Sequence, residues 1–503
     1  MEFQCTQMST RKKLKSGDQQ DASNGDRISD LPDNLLHQIL ASLDMKCVVQ
    51  TSVLSTRWRN LWMSLPTLNF DLDTFLESTK GTAKDKDRFM EFVDQVFIHQ
   101  DITNVQKFHL FYNEKRELLH KRVYSWICAA VRRNVQELFI DFPTANSFKL
   151  PFRLFTCQSL KVLKLEFGSS YVCLRLPEFI SLPVLKTVHL KSVRFSDESR
   201  TSKFFSSCVV LESLAIIYCD FSFYLLENLI ISCPKLKHLV IENDIDREDW
   251  YGKGYCKVKI FAPYLESLRC RDHLGRDYVI ENSSSLVKVE IYMEKEKTED
   301  LDCGELSDTT KEYGARVISV LSAVRNVREL TLSPWLLEVI FNPPVAQLES
   351  VSLQFLNLRH LKLKTWLCNE SIHAITYLLN ISLNVETLIV EVKKRDICIY
   401  DGYKDHFWTT GVSEYKDRGL PLHCMNHLKF FGIKGILGYG CINVMIFLEI
   451  LLKKALVLEK MVVFTAKDPN KDKRLMKFRE KLQQISPVSS NVGFFFESSD
   501  PQY

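Results

Sequence analysis

The chain has 503 residues, more than one ordinary core can use, and so implies about two to four domains or one extended repeat array. Its 46% apolar and 25% charged content is that of a globular chain, and a net charge of +4 is too mild to point to nucleic acid. Composition and charge therefore argue for a folded chain, give no sign of nucleic-acid binding and do not name a partner.

Residues 1–25 gather Arg11, Lys12, Lys13 and Lys15 but lack the apolar run of an export signal, and are read as a disordered basic tail. Fifteen cysteines with no CxxC pair fit free thiols in a reducing compartment, the cytoplasm and/or the nucleus. Without export, the sequons at Asn282, Asn369 and Asn380 carry no weight.

The next segment, residues 26–66, is dense in apolar side chains for so short a unit. Pro32 suits a helix start, Asp33 its positive end, and Leu35, Leu36, Ile39, Leu40 and Leu43 follow at helical spacing, predicting a helix over 32–43. A second short helix carries Val48, Val49, Val53 and Leu54, and Ser55 is placed to cap a third containing Trp58, Leu61 and Trp62. A unit this small buries only about half to two-thirds of its unfolded surface, so its apolar face asks for a partner. Residues 67–99 read as a linker with a helix.

From about residue 100 to 415 one pattern recurs, apolar-x-x-apolar-x-apolar: VQKFHL at Val105, VQELFI at Val135, LKVLKL at Leu160, LKTVHL at Leu185, LESLAI at Leu211, LKHLVI at Leu236, LESLRC at Leu265, LVKVEI at Leu286, VRELTL at Val327, LRHLKL at Leu358 and VETLIV at Val385. LKFFGI at Leu428 and LEKMVV at Leu458 continue it, and LESVSL at Leu348 has an open register. Four consecutive steps from Val135 to Leu236 are 25 or 26 residues long, within the about 20–29 of leucine-rich repeats. Each motif predicts a short strand whose last two apolar positions face inward and stack on neighbouring units. Cys157, Cys208 and Cys233 each stand three residues before a motif, a slot that suits a small buried thiol.

Segments such as RLPEFISLPV and FSFYLLENLIIS carry apolar residues at helical spacing or in extended turns, giving a curved parallel sheet with helices and loops outside it. The stretches MEKEKTEDLDCGELSDTTKEYG and YDGYKDHFWTTGVSEYKDRG are expected to be surface loops. Farther on, Ile442 to Leu458 is interrupted by Glu449, Lys453 and Lys454 and is shorter than the about twenty residues a bilayer needs. It predicts a buried helix and no membrane partner. KDPNKDKRLMKFREKLQQ, residues 467–484, predicts a solvated amphipathic helix with Leu475, Met476, Phe478 and Leu482 inward.

Catalytic signatures are missing: no GxSxG, HExxH or GxxxxGK[ST] occurs. Gly432, Gly435, Gly438 and Gly440 read as a plain turn, Asp71 with Asp73 and the acids at 299–302 as solvated loops, His37 as a helix-surface residue, and His423 with His427 as strand-edge packing rather than a metal pair. No catalytic residue, metal or cofactor is expected.

LPDNLLHQIL followed by VVQTSVLSTRWRNLW closely resembles the F-box of plant proteins in which an F-box precedes leucine-rich repeats. LPLHCMNHLKFFGIKGILGYG, then FLEILLKKALVLEKMVVF and a helix ending near GFFF, resembles the FBD region closing many of them. The resemblance implies an α/β chain with a three-helix F-box at 26–66, an irregular leucine-rich-repeat solenoid at 100–415, an FBD cap over the last strand at 416–496 and a tail at 497–503. It further implies that the F-box docks on a Skp-type adaptor, which joins cullin and RING subunits, while the repeats hold an unknown protein substrate.

Leu31 and Pro32 match the opening of the F-box; Leu35, Leu36, Ile39 and Leu40 match its first helix; Val48, Val53, Leu54, Trp58, Leu61 and Trp62 match the remainder. Of these, Leu31, Pro32, Leu35, Leu36, Ile39, Leu40, Val48, Leu54, Trp58, Leu61 and Trp62 are the candidate adaptor-binding residues. Their division between core and docking face stays open. The Leu31-Pro32 corner and the exposed side of helix one are expected on the adaptor, with the tryptophan pair bridging to the repeats. Asp44 and Met45 replace the usual Pro and small polar residue, and Cys47 replaces an acid; losing a turn proline should cost up to about 1 kcal/mol. The alternative function is a leucine-rich binding scaffold acting independently of ubiquitination.

Overall fold

The computed structural model describes residues 28, 31–77, 79–100, 104–113, 119–143, 148–168, 171–221, 226–243, 255–295, 306–341, 353–367, 369–393, 425–435, 441–465 and 473–498. Its backbone is one sheet of fifteen parallel strands laid down in chain order, from Thr67–Asp71 at one edge to Gly493–Ser498 at the other. All thirteen motifs with an assigned register become strands of this sheet, in register with their neighbours. LESVSL at 348–352 lies outside the described residues.

The motif forms a strand for a local reason. Its first apolar residue is buried at the turn into the strand, as in Leu160, Leu185, Leu211 and Leu236, and the last two are buried on the inner face, as in Leu163 with Leu165. Between them a backbone rung repeats: the carbonyl of the second motif position accepts the N–H groups of the second and third positions in the next unit. Lys161 O takes Lys186 and Thr187 at 2.8 and 3.1 Å, and Lys186 O takes Glu212 and Ser213 at 2.8 and 3.0 Å. The same rung recurs from Pro66 to Lys429. Cys157, Cys208 and Cys233 are buried as expected, their thiols donating to the carbonyls of Val135, Phe204 and Phe205. Burial pushes the Cys208 thiol up to about 12, which keeps it protonated and unreactive.

The sheet begins earlier than the sequence reading placed it. Residues 67–71, assigned there to a linker, pair with Lys107–Phe111, and only then does the expected helix, Ala83–His99, follow, opened by a Thr82/Asp85 capping box. At the other end the C-terminal region closes the solenoid by extending its sheet: the expected motifs at Leu428 and Leu458 form Phe430–Lys434 and Lys460–Thr465, and Gly493–Ser498, which no motif marked, adds the final strand.

Outside the sheet, helices such as Leu119–Arg132, Glu198–Ser207 and Asn369–Asn380 close several units. In three consecutive units a small parallel sheet takes their place: Asn228–Ser232, Lys257–Phe261 and Tyr278–Glu281. FSFYLLENLIIS ends in the first of these strands.

The charged stretch from Met293 is not all loop: Leu306–Ala323 is helical, with Val317 and Leu321 buried. The second stretch, from Tyr400, lies outside the described residues. Cys441–Lys454 is the buried helix expected there, and Lys473–Gln483 buries Phe478 and Leu482 but leaves Met476 exposed, correcting its inward assignment. Among the described residues no helix is long and apolar enough to cross a membrane. Gly435, directly after a strand, adopts φ +80°, and a Cβ there would lie 2.2 Å from the Val392 carbonyl oxygen, so this turn requires glycine. Gly432 lies inside the strand instead, and 436–440 are outside the described residues.

One ion pair is wholly inside. Arg276 Nε lies 2.7 Å from Asp272 Oδ2, Tyr278 donates its hydroxyl to the same oxygen, and the guanidinium sits 4.4 Å from the Phe221 ring centroid. Removing one member strands the other in low dielectric, whereas replacing both by apolar side chains does not. Asp272→Ala should lower unfolding stability by about 3–5 kcal/mol, and Asp272→Leu combined with Arg276→Met should recover most of it, read by urea denaturation.

Candidate functional site

The N-terminal unit consists of α1 (Asp33–Leu40), α2 (Met45–Gln50) and α3 (Trp58–Leu61), the last two joined through a 3-10 turn at Thr51–Val53. Pro32 stands just before α1 in extended conformation rather than in its first turn. Ser55 makes no capping bond to α3, because α3 begins three residues later behind a helical Arg57. Arg57 instead ties the start of α1 to α3: its Nη2 donates to Leu31 O and to Asp33 Oδ1, both at 2.6 Å. His37 meets Ser64 Oγ at 3.1 Å, pinning α1 to the chain after α3.

Packing divides the eleven candidate residues. Leu36, Leu40, Val48, Trp58 and Leu61 are buried together with Met45 and Leu65, in a core continuous with that of the sheet. These five are corrected from adaptor contact to internal packing, since a side chain already inside its own unit has no surface to offer. Leu31 and Trp62 are half-buried against the same core, Trp62 immediately before Leu65 and Leu68. Pro32, Leu35, Ile39 and Leu54 stay outside: Leu35 is 40% exposed, Ile39 48% and Leu54 64%. Leu35 and Ile39 are one turn apart on one face of α1. Leu43 and Val53, absent from the candidate set, are exposed too. Spacing could not single out Leu43, which keeps helical phase with the buried Leu36 and Leu40; it is exposed because α1 ends at Leu40.

The stretch that departs most from the family pattern does structural work. The Asp44 carboxylate caps α2 by accepting Lys46 N–H at 2.7 Å, and its other oxygen accepts the N–H of Asp71 at 2.8 Å, on the first strand of the sheet. Burial raises the Asp44 pKa, and the two N–H donors oppose that rise. Lys46 Nζ donates to the carbonyls of Thr74 and Phe75 at 3.1 and 2.9 Å, at the end of the helix Leu72–Leu76. The expected penalty for a missing proline is thus offset by a joint between the helical unit and the sheet.

The second surface is the outward face of the sheet, whose alternate positions carry polar side chains. Glu166 lies 3.3 Å from His189 Nε2 and 3.2 Å from Lys191 Nζ. The His189 hydrogen bond, followed by those to Lys191, holds the carboxyl down at about 2 against the opposing effect of burial. Among the described residues no group of His, Cys, Asp or Glu is placed to hold a metal; His427 is exposed, while His423 lies outside them.

Asp44→Ala removes a cap and leaves the Asp71 N–H without its acceptor, together worth roughly 2–3 kcal/mol. Hydrogen exchange should speed up across 45–50 and at Asp71 while the central strands keep their protection. Because the Glu166 pKa is depressed, its contribution is complete above about 4.5 and is lost as pH falls toward about 2. Glu166→Gln should therefore flatten the acid side of the melting-temperature profile in that window.

Known proteins resemble both surfaces. An F-box domain model matches residues 28–70, and the leucine-rich-repeat model of the FBD-associated F-box protein At5g56370 matches 123–243. The F-box/FBD/LRR-repeat protein At5g22660 of Arabidopsis thaliana is 30% identical over 379 residues, covering 74% of this chain and 78% of its own. The F-box/FBD/LRR-repeat protein At5g22700 of the same plant is 32% identical over 327 residues, 63% of this chain and 69% of its own. With an F-box capping a solenoid that its C-terminal region extends, and with relatives aligned over most of their length, this chain belongs to the F-box/FBD/LRR-repeat protein family.

Proposed function

We propose that the protein is the non-catalytic substrate-recognition subunit of an SCF-type ubiquitin ligase. The F-box docks on a Skp-type adaptor, and through it on cullin and RING subunits, while the outward face of the sheet holds the protein to be modified. The observation that carries this reading is the exposed apolar set on a folded F-box: Leu35 and Ile39 on α1, with Leu43, Val53 and Leu54 beside it in sequence. Each such side chain gains on the order of 1.5–3 kcal/mol when a partner covers it, so a handful suffices for stable docking. Catalysis then comes from proximity, the receptor raising the effective concentration of its substrate near the charged enzyme. On this reading the complex works in the cytoplasm and/or nucleus.

Co-expression of the full chain with a Skp-type adaptor tests the proposal. The wild type should co-purify with the adaptor. Leu35→Asp with Ile39→Asp should weaken binding by at least about a hundredfold with little change in melting temperature, because both side chains already face solvent. A wild-type chain that folds yet does not bind the adaptor leaves only the independent scaffold.

A further inference from the structure

The outward face of the sheet is not uniform. Along the first ten strands, Thr67–Asp71 to Glu329–Leu332, the alternate outward positions carry more acids than bases, with Glu137, Asp141, Glu166, Glu242 and Glu290 among them. On the last five strands, His360–Thr365 to Gly493–Ser498, the sign reverses: Lys362, Lys364, Lys434 and Lys460 stand against Glu391 and Glu497.

The last three of these strands are also aromatic on that face. Phe430 and Phe464 lean over Gly432 from either side, so closely that a Cβ on Gly432 would lie 3.1 and 3.2 Å from their rings. The glycine thus lets two rings lie flat on the sheet and form a floor. Phe495, 46% exposed, continues it on the last strand. Lysines border the rings, with Lys434 Nζ 4.5 Å from the Phe464 centroid and Lys460 Nζ 4.9 Å from that of Phe495. On the other flank Lys364 lies 4.5 Å over Tyr292, reaching across a unit whose buried Ser333 leaves the way open.

We infer that this end of the sheet binds an extended peptide segment in which acidic side chains alternate with aromatic or leucine anchors. The inference rests on the reading of this face as the substrate-holding surface and names the class of substrate. Charge complementarity carries it: a basic rim around an apolar floor suits carboxylates flanking an apolar side chain. From the strand of Lys364 to that of Phe495 is four inter-strand steps, about 20 Å, the length of about six extended residues. A nucleic acid fits less well, because Glu391 and Glu497 on the same face would meet its phosphates.

Selection of random peptides of about twelve residues on the full chain tests this. Recovered peptides should be enriched in Asp and Glu next to Phe, Trp or Leu, and Lys364→Glu with Lys434→Glu should reduce their binding at least about tenfold. Gly432→Val, which lifts the two rings, should weaken the same peptides while the lysines stay in place. Peptides without acids, binding indifferent to the lysine pair, or an oligouridine RNA that binds more tightly than the selected peptides would each overturn the inference. Adaptor binding measured on the same preparations separates the two readings: acidic peptides selected by a chain that ignores the adaptor count against the ligase alone.

Discussion

Everything in this molecule hangs on the backbone rung that joins one unit to the next. A single carbonyl, on the residue directly before each strand proper, accepts two N–H groups of the following unit, and the strands then run in register. The rung fixes six residues per unit and leaves the rest of the unit free. Hence units of very different length coexist: a long helix closes some, a single extended segment others, and the sheet does not register the difference. Nearest-neighbour stacking of this kind makes stability close to a sum over adjacent units.

That constraint also explains what could be read from the sequence. The repeating strands were legible because the six-residue signature is local and its apolar positions are nearly invariant in kind. The first strand escaped notice although LPTLNF, starting at Leu65, obeys the same pattern, because a forty-residue gap separates it from the next copy at Val105. The last strand, GFFFES, lacks the leading leucine and reads as an aromatic tail. The helix Leu306–Ala323 was hidden because its first turns, LSDTTKEYG, are polar and charged and continue the charged stretch before them.

The F-box was legible as a unit but not in its inside and outside. In a three-helix unit with apolar residues on several faces, spacing identifies the helices yet gives no direction to the core; the neighbouring sheet does that. Leu36 and Leu40 turn toward Leu65 and Leu68, so Leu35 and Ile39 are left facing out. The stretch around Asp44 looks like a departure from a pattern because the partners of Asp44 and Lys46, namely Asp71, Thr74 and Phe75, are some thirty residues away in sequence. A substitution that looks like decay along the chain can be a contact in space.

The two ends of the sheet are finished differently. At the far end Gly493–Ser498 pairs on one side. At the near end the F-box itself closes the edge, through the Asp44 carboxylate and a shared apolar core. The F-box is therefore not a cassette. Cutting the chain after residue 66 would not subtract a docking module but open a sheet, uncovering Leu68 and Phe70 and leaving a backbone donor bare. An exchange of F-boxes among chains of this build would have to carry residue 44 and the first strand as one piece.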